Sequence, residues 1–174
     1  DTACVGSPTT FTDQSSTSTG FITQHLWDFG DGTTSTVINP VHTYLTFGEF
    51  HVTLTVTTQD GCINDTTMTV LVMPIPVAAF NATGPTCLGD SVHFTDNSYT
   101  MYGAIHEWRW DFGDGASVTI IDPASPDISH LYLSSGTYNV VLRVTTYNGC
   151  FATASMPVVV QPAPIANYSY SPNR

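Results

Sequence analysis

The sequence predicts an all-β protein of two tandem β-sandwiches, and three observations carry that prediction. First, the hexapeptide Trp-Asp-Phe-Gly-Asp-Gly occurs at residues 27–32 and again at 110–115. Around it other residues recur in the same order. Cys4 and Phe11 return as Cys87 and Phe94, His42 and Tyr44 as His130 and Tyr132, Gly48 as Gly136, Cys62 as Cys150, and Pro74-Ile-Pro76 as Pro162-Ala-Pro164. Self-similarity of this kind marks a repeat architecture, and each copy of about 88 residues has the size of a small domain. Second, the segments 50–56 and 138–144 alternate apolar and polar residues, the period of a strand with one buried face. Third, helix signals are almost absent. Thr, Val, Tyr and Phe dominate, punctuated by Gly, Pro, Asn and Asp at short spacing.

The elements follow in order. Residues 10–12 and 93–95 read as short strands around Phe11 and Phe94. Strands over 21–29 and 105–112 end at the Gly-Asp-Gly turn, and 33–38 and 117–121 lead out of it. The alternating strands 50–56 and 138–144 come next, closed by the tight-turn signals Asp60-Gly61 and Asn148-Gly149. Return strands run over 62–72 and 150–160. Met68, Val70 and Val72 share the parity of Cys62, and Met156, Val158 and Val160 that of Cys150, which points both cysteines toward the core. Six or seven short antiparallel strands per copy make a β-sandwich. The proline-bracketed linker Pro74-Ile-Pro76 is short and stiff, predicting a semi-rigid rod.

The domain frame is offset. Residues 76–82 read as an opening strand for the second copy, and nothing equivalent precedes the first. Residues 164–170 align with 76–82. The chain therefore divides into 1–74, a domain lacking its opening strand; 75–162, a complete domain; and 163–174, either the opening strand of a following repeat or a donor strand for a neighbouring chain. Ile165, Ala166, Tyr168 and Tyr170 are its candidate assembly residues. In one reading the chain is a segment of a longer array. In the other, identical chains join head-to-tail by strand addition into a filament.

Composition narrows the partners. The chain holds 14 acidic residues against 3 basic ones, all arginine, for a formal charge of −11. Such a surface repels phosphate, so no nucleic-acid partner is expected and anionic membrane surfaces are disfavoured. No apolar run approaches a membrane span, so direct membrane insertion is not expected. The first residues read as mature protein, without a leader. The four cysteines fall two per copy at matching positions, which favours one bridge inside each unit, Cys4–Cys62 and Cys87–Cys150. The chain-entropy model gives each such bridge an upper value of about 4 kcal/mol. Bridges imply an oxidising, extracellular setting. The competing reading is a buried thiol in each copy.

With these residues in view, the chain resembles the PKD domain. The resemblance rests on Trp-Asp-Phe-Gly-Asp-Gly, on Pro40, His42 and Tyr44, and on the run from Gly48 to Leu54. The second copy lacks a proline two residues before His130. The resemblance implies an immunoglobulin-like (PKD-type) β-sandwich, found in surface proteins as spacers, adhesive modules or mechanical links. Together with the lysine-free acidic composition, it looks like the repeat arrays of large bacterial surface adhesins.

The motif residues read structurally. Trp27 and Trp110 are large apolar plugs. Gly30, Gly32, Gly113 and Gly115 permit backbone angles closed to other residues. Asp28, Asp31, Asp111 and Asp114 suit the role of acceptors for turn amides. The same four are the only calcium candidates, since hard oxygen ligands suit that ion, although no EF-hand loop is present and no other cofactor is expected. Six histidines form no His-Glu-x-x-His cluster. No Gly-x-Ser-x-Gly or phosphate loop occurs, so no enzyme activity is expected. Asn64, Asn81 and Asn167 fit N-glycosylation sequons. Thr2, Thr66 and Ser91 fit an Asp-Ser/Thr-apolar pattern used for O-glycosylation, a triplet that chance also produces in so Thr/Ser-rich a chain. The copies differ most over 122–129, where extra residues enlarge a loop of the kind that carries recognition, and at Trp108, which replaces His25.

The expected function is therefore non-enzymatic. It is an extracellular, cell-surface module, structural and adhesive: a stiff spacer or filament-forming segment of a larger bacterial surface protein. Its partners would be neighbouring repeats or identical chains. The alternative is a carbohydrate- or protein-binding accessory module of a secreted enzyme, with glycans or host cell-surface proteins as partners.

Overall fold

A computed structural model describes residues 2–122 and 124–171. Among them the secondary structure is strand alone. Contacts divide the chain into two compact units. Unit 1 comprises Asp1–Ile75 with the loops Thr100–Gly103 and Tyr147–Cys150, and unit 2 comprises Pro76–Tyr99, Ala104–Thr146 and Phe151–Arg174.

Unit 1 contains β1 (Thr2–Cys4), β2 (Pro8–Thr10), β3 (Ile22–Asp28), β4 (Thr34–Ser35), β5 (Val41–Thr43), β6 (Gly48–Thr58) and β7 (Ile63–Met73). Five of these form a sheet in the order β1-β7-β6-β3-β4, and β2 pairs with β5 opposite. β1 runs parallel to β7, with Thr2 against Leu71 and Cys4 against Met73. Alternation along β6 sends Val52 and Leu54 inward, where they meet Phe11, Trp27, Phe29, Tyr44, Val70 and Val72. Burying each large apolar side chain contributes about 1.5–3 kcal/mol.

Unit 2 contains β8 (Phe80–Ala82), β9 (Thr86–Cys87), β10 (Ser91–Asp96), β11 (Ile105–Asp111), β12 (Ser117–Ile121), β13 (Ile128–Leu131), β14 (Gly136–Thr146) and β15 (Phe151–Gln161). Its sheets are β12-β11-β14-β15-β9 and β13-β10-β8. β9 through β15 correspond to β1 through β7. Even the register shift in β3, between Ile22 and Gln24, returns in β11 between Ile105 and Glu107. Among the described residues β8 alone has no counterpart in unit 1.

That difference corrects the strand expected over 10–12. β2 stops at Thr10, whereas β10 continues through Asp96. The three residues that extend β10 are the ones β8 pairs with: Phe94 with Ala82, Thr95 with Asn81 and Asp96 with Phe80. Phe11, Thr12 and Asp13 have no such neighbour, so the ladder ends. The strand expected over 33–38 likewise shortens to the two residues of β4, while its counterpart β12 keeps five.

The cysteine pairing is also corrected. Cys4 is bonded to Cys150, 146 residues away in sequence, while Cys62 and Cys87 are exposed free thiols. The expected Cys4–Cys62 and Cys87–Cys150 bridges fail on strand geometry. Cys4 lies beside Met73, at the far end of β7 from Cys62. A strand of 11 residues separates its ends by roughly 30 Å, and a disulfide needs Cα atoms within roughly 7 Å. Cys87 lies beside Gln161, at the end of β15 remote from Cys150. The inward orientation expected for Cys62 fails too: Cys62 is exposed, whereas Cys150 at the matching repeat position is 1% exposed.

Candidate functional site

The recurring hexapeptide forms a turn that consumes its own polar groups. Asp28 Oδ1 accepts a hydrogen bond from the Gly30 amide at 2.9 Å. Asp31 Oδ1 accepts from the amide of Thr33 at 3.0 Å and from its hydroxyl at 2.6 Å. In the second copy Asp111 Oδ1 accepts from Gly113 N–H and Asp114 Oδ1 from Ala116 N–H, each at 3.0 Å. Gly30 has φ +77°, and a Cβ there would stand 2.6 Å from the carbonyl oxygen of His51. Gly113, also at φ +77°, stands in the same relation to Asn139 at 2.7 Å. Gly32 and Gly115 share the left-handed backbone but face open space. The turn thus needs glycine twice, once for conformation alone and once for close approach as well.

The second carboxylate oxygen of each later aspartate meets the recurring histidine. His42 Nε2 lies 2.7 Å from Asp31 Oδ2, and His130 Nε2 lies 2.7 Å from Asp114 Oδ2. The imidazoles stack on Phe29 and Phe112, with centroids 4.1 and 4.0 Å apart. Tyr44 and Tyr132 donate their hydroxyls to the carbonyls of Phe29 and Phe112 at 3.2 and 3.0 Å. Burial, helped by the neighbouring aspartate charge, pushes both phenols up to about 12. Burial also pulls on Asp31, but hydrogen bonds from Thr33 and His42 outweigh it and hold the carboxyl below its ordinary value. Asp114 is held down in the same way by His130 and the Ala116 amide. In both copies the later aspartate, the histidine and the tyrosine are thereby engaged in holding the turn to the segments beside it. No group of three His, Cys, Asp or Glu among the described residues is placed to hold a metal ion.

The indoles are anchored too. Trp27 and Trp110 are buried, and their Nε1–H groups donate to the carbonyls of Ile38 and Pro126. Trp108 is a core residue, 8% exposed, donating to Asp96 Oδ2 at 2.8 Å. In the first copy His25 Nε2 meets Asp13 Oδ2 at 3.0 Å. Asp13 and Asp96 are functional partners that the sequence reading missed. The available signal was their recurrence two residues after Phe11 and Phe94.

Unit 1 also carries an open groove of about 550 Å³, lined among others by Phe11, Trp27, Leu54, Met68 and Val70. In unit 2 the matching aromatics are covered by Phe80, whose ring stands edge-on to Trp110 at 5.0 Å and 6.3 Å from Phe94. The candidate assembly residues Ile165, Ala166, Tyr168 and Tyr170 are exposed and outside any strand. The last part of that segment, 172–174, lies outside the described residues, as does residue 123 of the enlarged loop. Thr2, Thr66, Ser91, Asn64, Asn81 and Asn167 are all exposed. Among the described residues no helix is long and apolar enough to cross a membrane.

The family model described as PKD domain matches residues 1–72 and 73–160. The chain is 45% identical over 69 residues to a microbial collagenase of Vibrio alginolyticus, covering 39% of this chain and 8% of that protein. It is 31% identical over 145 residues to the pre-pro-metalloprotease PrtV of Vibrio cholerae, covering 83% of this chain and 15% of that protein. The chain thus spans only a small part of either relative. Among solved structures, the fibronectin(III)-like modules of Clostridium thermocellum CbhA superpose with a TM-score of 0.52 over 98% of this chain and 94% of theirs. At 14% identity that likeness concerns the fold alone.

Proposed function

Because this chain belongs to the PKD family and carries two tandem copies of its domain, we propose that it is a non-catalytic extracellular module, a stiff structural spacer within a larger bacterial surface protein. One observation carries the reading. The aspartates, histidine and tyrosine of the recurring motif are spent inside each sandwich: both aspartates cap turn amides, histidine pairs with aspartate, and tyrosine ties the preceding strand. A formal charge of −11 suits a soluble, self-repelling linker, and a Cys4–Cys150 bridge suits an oxidising setting.

The accessory reading is favoured by a different observation. The two relatives are a collagenase and a metalloprotease, in which the matched stretch is a minor part. On that reading the chain would hold a secreted enzyme to its polymer. Co-sedimentation with insoluble collagen, cellulose and other polysaccharides separates the two. The spacer reading expects no saturable retention on any of them, and saturable binding to one would replace it with the accessory reading.

A further inference from the structure

We infer that the chain carries both halves of a head-to-tail connection to a second copy of itself: the segment 164–170 of one copy fills the open groove in unit 1 of the next, and Cys87 of the first bonds Cys62 of the second. The inference deepens the structural-module reading and rests on it.

The groove is shaped for one kind of occupant, because unit 2 shows it filled. There β8 lies antiparallel to β10 and places Phe80 over Trp110 and Phe94, with Ala78 and Ala82 packed beside it. Ala79 extends that pairing, its carbonyl accepting from the Asn97 amide and the Ser98 hydroxyl and its amide donating to the Ser98 hydroxyl. Unit 1 keeps the receiving parts: Trp27 for Trp110, Phe11 for Phe94 and Ser15 for Ser98. Ser15 even repeats the local bond of Ser98, its amide donating to Asp13 Oδ1 as that of Ser98 donates to Asp96 Oδ1. Among the described residues the covering strand is what differs. Its absence shows in the exposures: Trp27 and Leu54 are 5% and 6% exposed, against 0% for Trp110 and Leu142.

The tail supplies that strand. Aligned on its proline, 164–170 sets Tyr168 at the Phe80 position, Ala166 at Ala78 and Ile165 at Val77. Phe80 is 9% exposed and Tyr168 is 89% exposed, so one repeat position is a core plug in one place and bare in the other. Strand addition would pair the idle edge at residues 11–13 and bury the aromatic ring together.

The thiols fall in the same register. In the chain, Cys4 beside the end of β7 is bonded to Cys150 beside the start of β15, and the segment following β7 becomes β8. Cys87 occupies the Cys4 position beside the end of β15, and the segment following β15 is the tail. Cys62 occupies the Cys150 position. Both are exposed and free. The donor end therefore offers a strand and Cys87, and the acceptor end a groove and Cys62. Bond formation is an oxidation: two thiols lose two protons and two electrons to a disulfide oxidant such as oxidised glutathione, which is reduced to two thiols.

The test uses the full chain. Sedimentation velocity at rising concentration in reducing buffer is expected to show linear oligomers. Tyr168→Ala, a change at an exposed position, is expected to weaken association at least about tenfold. A synthetic peptide of residues 163–171 is expected to bind a variant lacking 163–174 and to dissolve the oligomers. With oxidised glutathione, non-reducing peptide maps should join Cys62 to Cys87. Cys62→Ser mixed with Cys87→Ser should stop at a covalent dimer, while either variant alone gives none. A chain that stays monomeric, with no peptide binding, overturns the inference and leaves the spacer reading intact. So does a monomer whose tail folds back into its own groove, revealed when only the deleted variant binds the peptide. Cys87–Cys87 or Cys62–Cys62 linkage overturns the proposed register.

Discussion

His130 Nε2 lies 2.7 Å from Asp114 Oδ2, the distance that also separates His42 Nε2 from Asp31 Oδ2 in the other unit. Each pair ties the Gly-Asp-Gly turn to the strand that leads into the buried tyrosine. The geometry is the same in both units although the intervening loop is longer in the second, so the tie belongs to the fold rather than to the loop.

Acid stability should follow from these ties. The Asp31 and Asp114 carboxyls are held below their ordinary value of 3.8. A depressed carboxylate stabilises the folded state fully above its unfolded value and loses that contribution as pH falls through the folded one. Thermal unfolding between pH 7 and pH 2 should therefore steepen below about pH 4 in the wild type. Asp31→Asn combined with Asp114→Asn should flatten that limb and lower stability at neutral pH by about 1–3 kcal/mol per site. Parallel pH curves for the two proteins would remove the aspartates from the account.

The alkaline limb has the opposite sign. Tyr44 and Tyr132 are raised from 10.0 to about 12, chiefly by burial. The unfolded chain ionises first, so their contribution is complete below pH 10 and disappears as pH climbs toward 12. Ultraviolet titration of the native protein should show Tyr44 and Tyr132 ionising late, together with unfolding. Tyr44→Phe and Tyr132→Phe should each remove one late phenol and cost about 1 kcal/mol, since the carbonyl of Phe29 or Phe112 loses its donor. A late class unchanged in either variant would contradict the assignment.

The two glycines of the turn should separate cleanly. Ala at position 32 meets only the cost of a left-handed backbone, about 1 kcal/mol, since nothing stands within 4 Å of the added carbon. Ala at position 30 meets that cost and a backbone oxygen at 2.6 Å, which cannot swing aside as a side chain would. Gly30→Ala should be the worse by about 2 kcal/mol or more in urea denaturation. Equal losses would show that the β6 backbone yields at His51.

Much of this architecture was readable in advance, and the reasons are local. Alternation along 50–56 and 138–144 forecast β6 and β14, because each has one face on the core. The turns at Gly61 and Gly149, with φ of 81° and 82°, fell where Asp-Gly and Asn-Gly announced them. The hexapeptide announced the repeat. The disulfide was not readable from matched spacing, because spacing says nothing about which end of a strand a cysteine occupies. A parallel β1 sets Cys4 beside Met73 rather than beside Cys62. The length of the return strand was the clue against the pairing. The His–Asp ties were hidden as well, since they span 11 and 16 residues and depend on how the loop closes.

The clearest trial of copy-to-copy equivalence is the exchange of His25 for Trp108. Both side chains reach an aspartate on the neighbouring segment, His25 to Asp13 at 3.0 Å and Trp108 to Asp96 at 2.8 Å. Trp108 adds a large apolar ring that unit 2 buries to 8% exposure. Trp108→Phe keeps most of that ring and strips the donor from Asp96. It should cost about 1–3 kcal/mol, because a partly buried carboxylate oxygen loses its partner. In a double-mutant cycle with Asp96→Ala, the two changes should couple by about 1 kcal/mol, as side chains sharing one hydrogen bond do. Additive losses would mean that Trp108 acts only by filling space, and that the recurring aspartate serves the Ser98 turn alone.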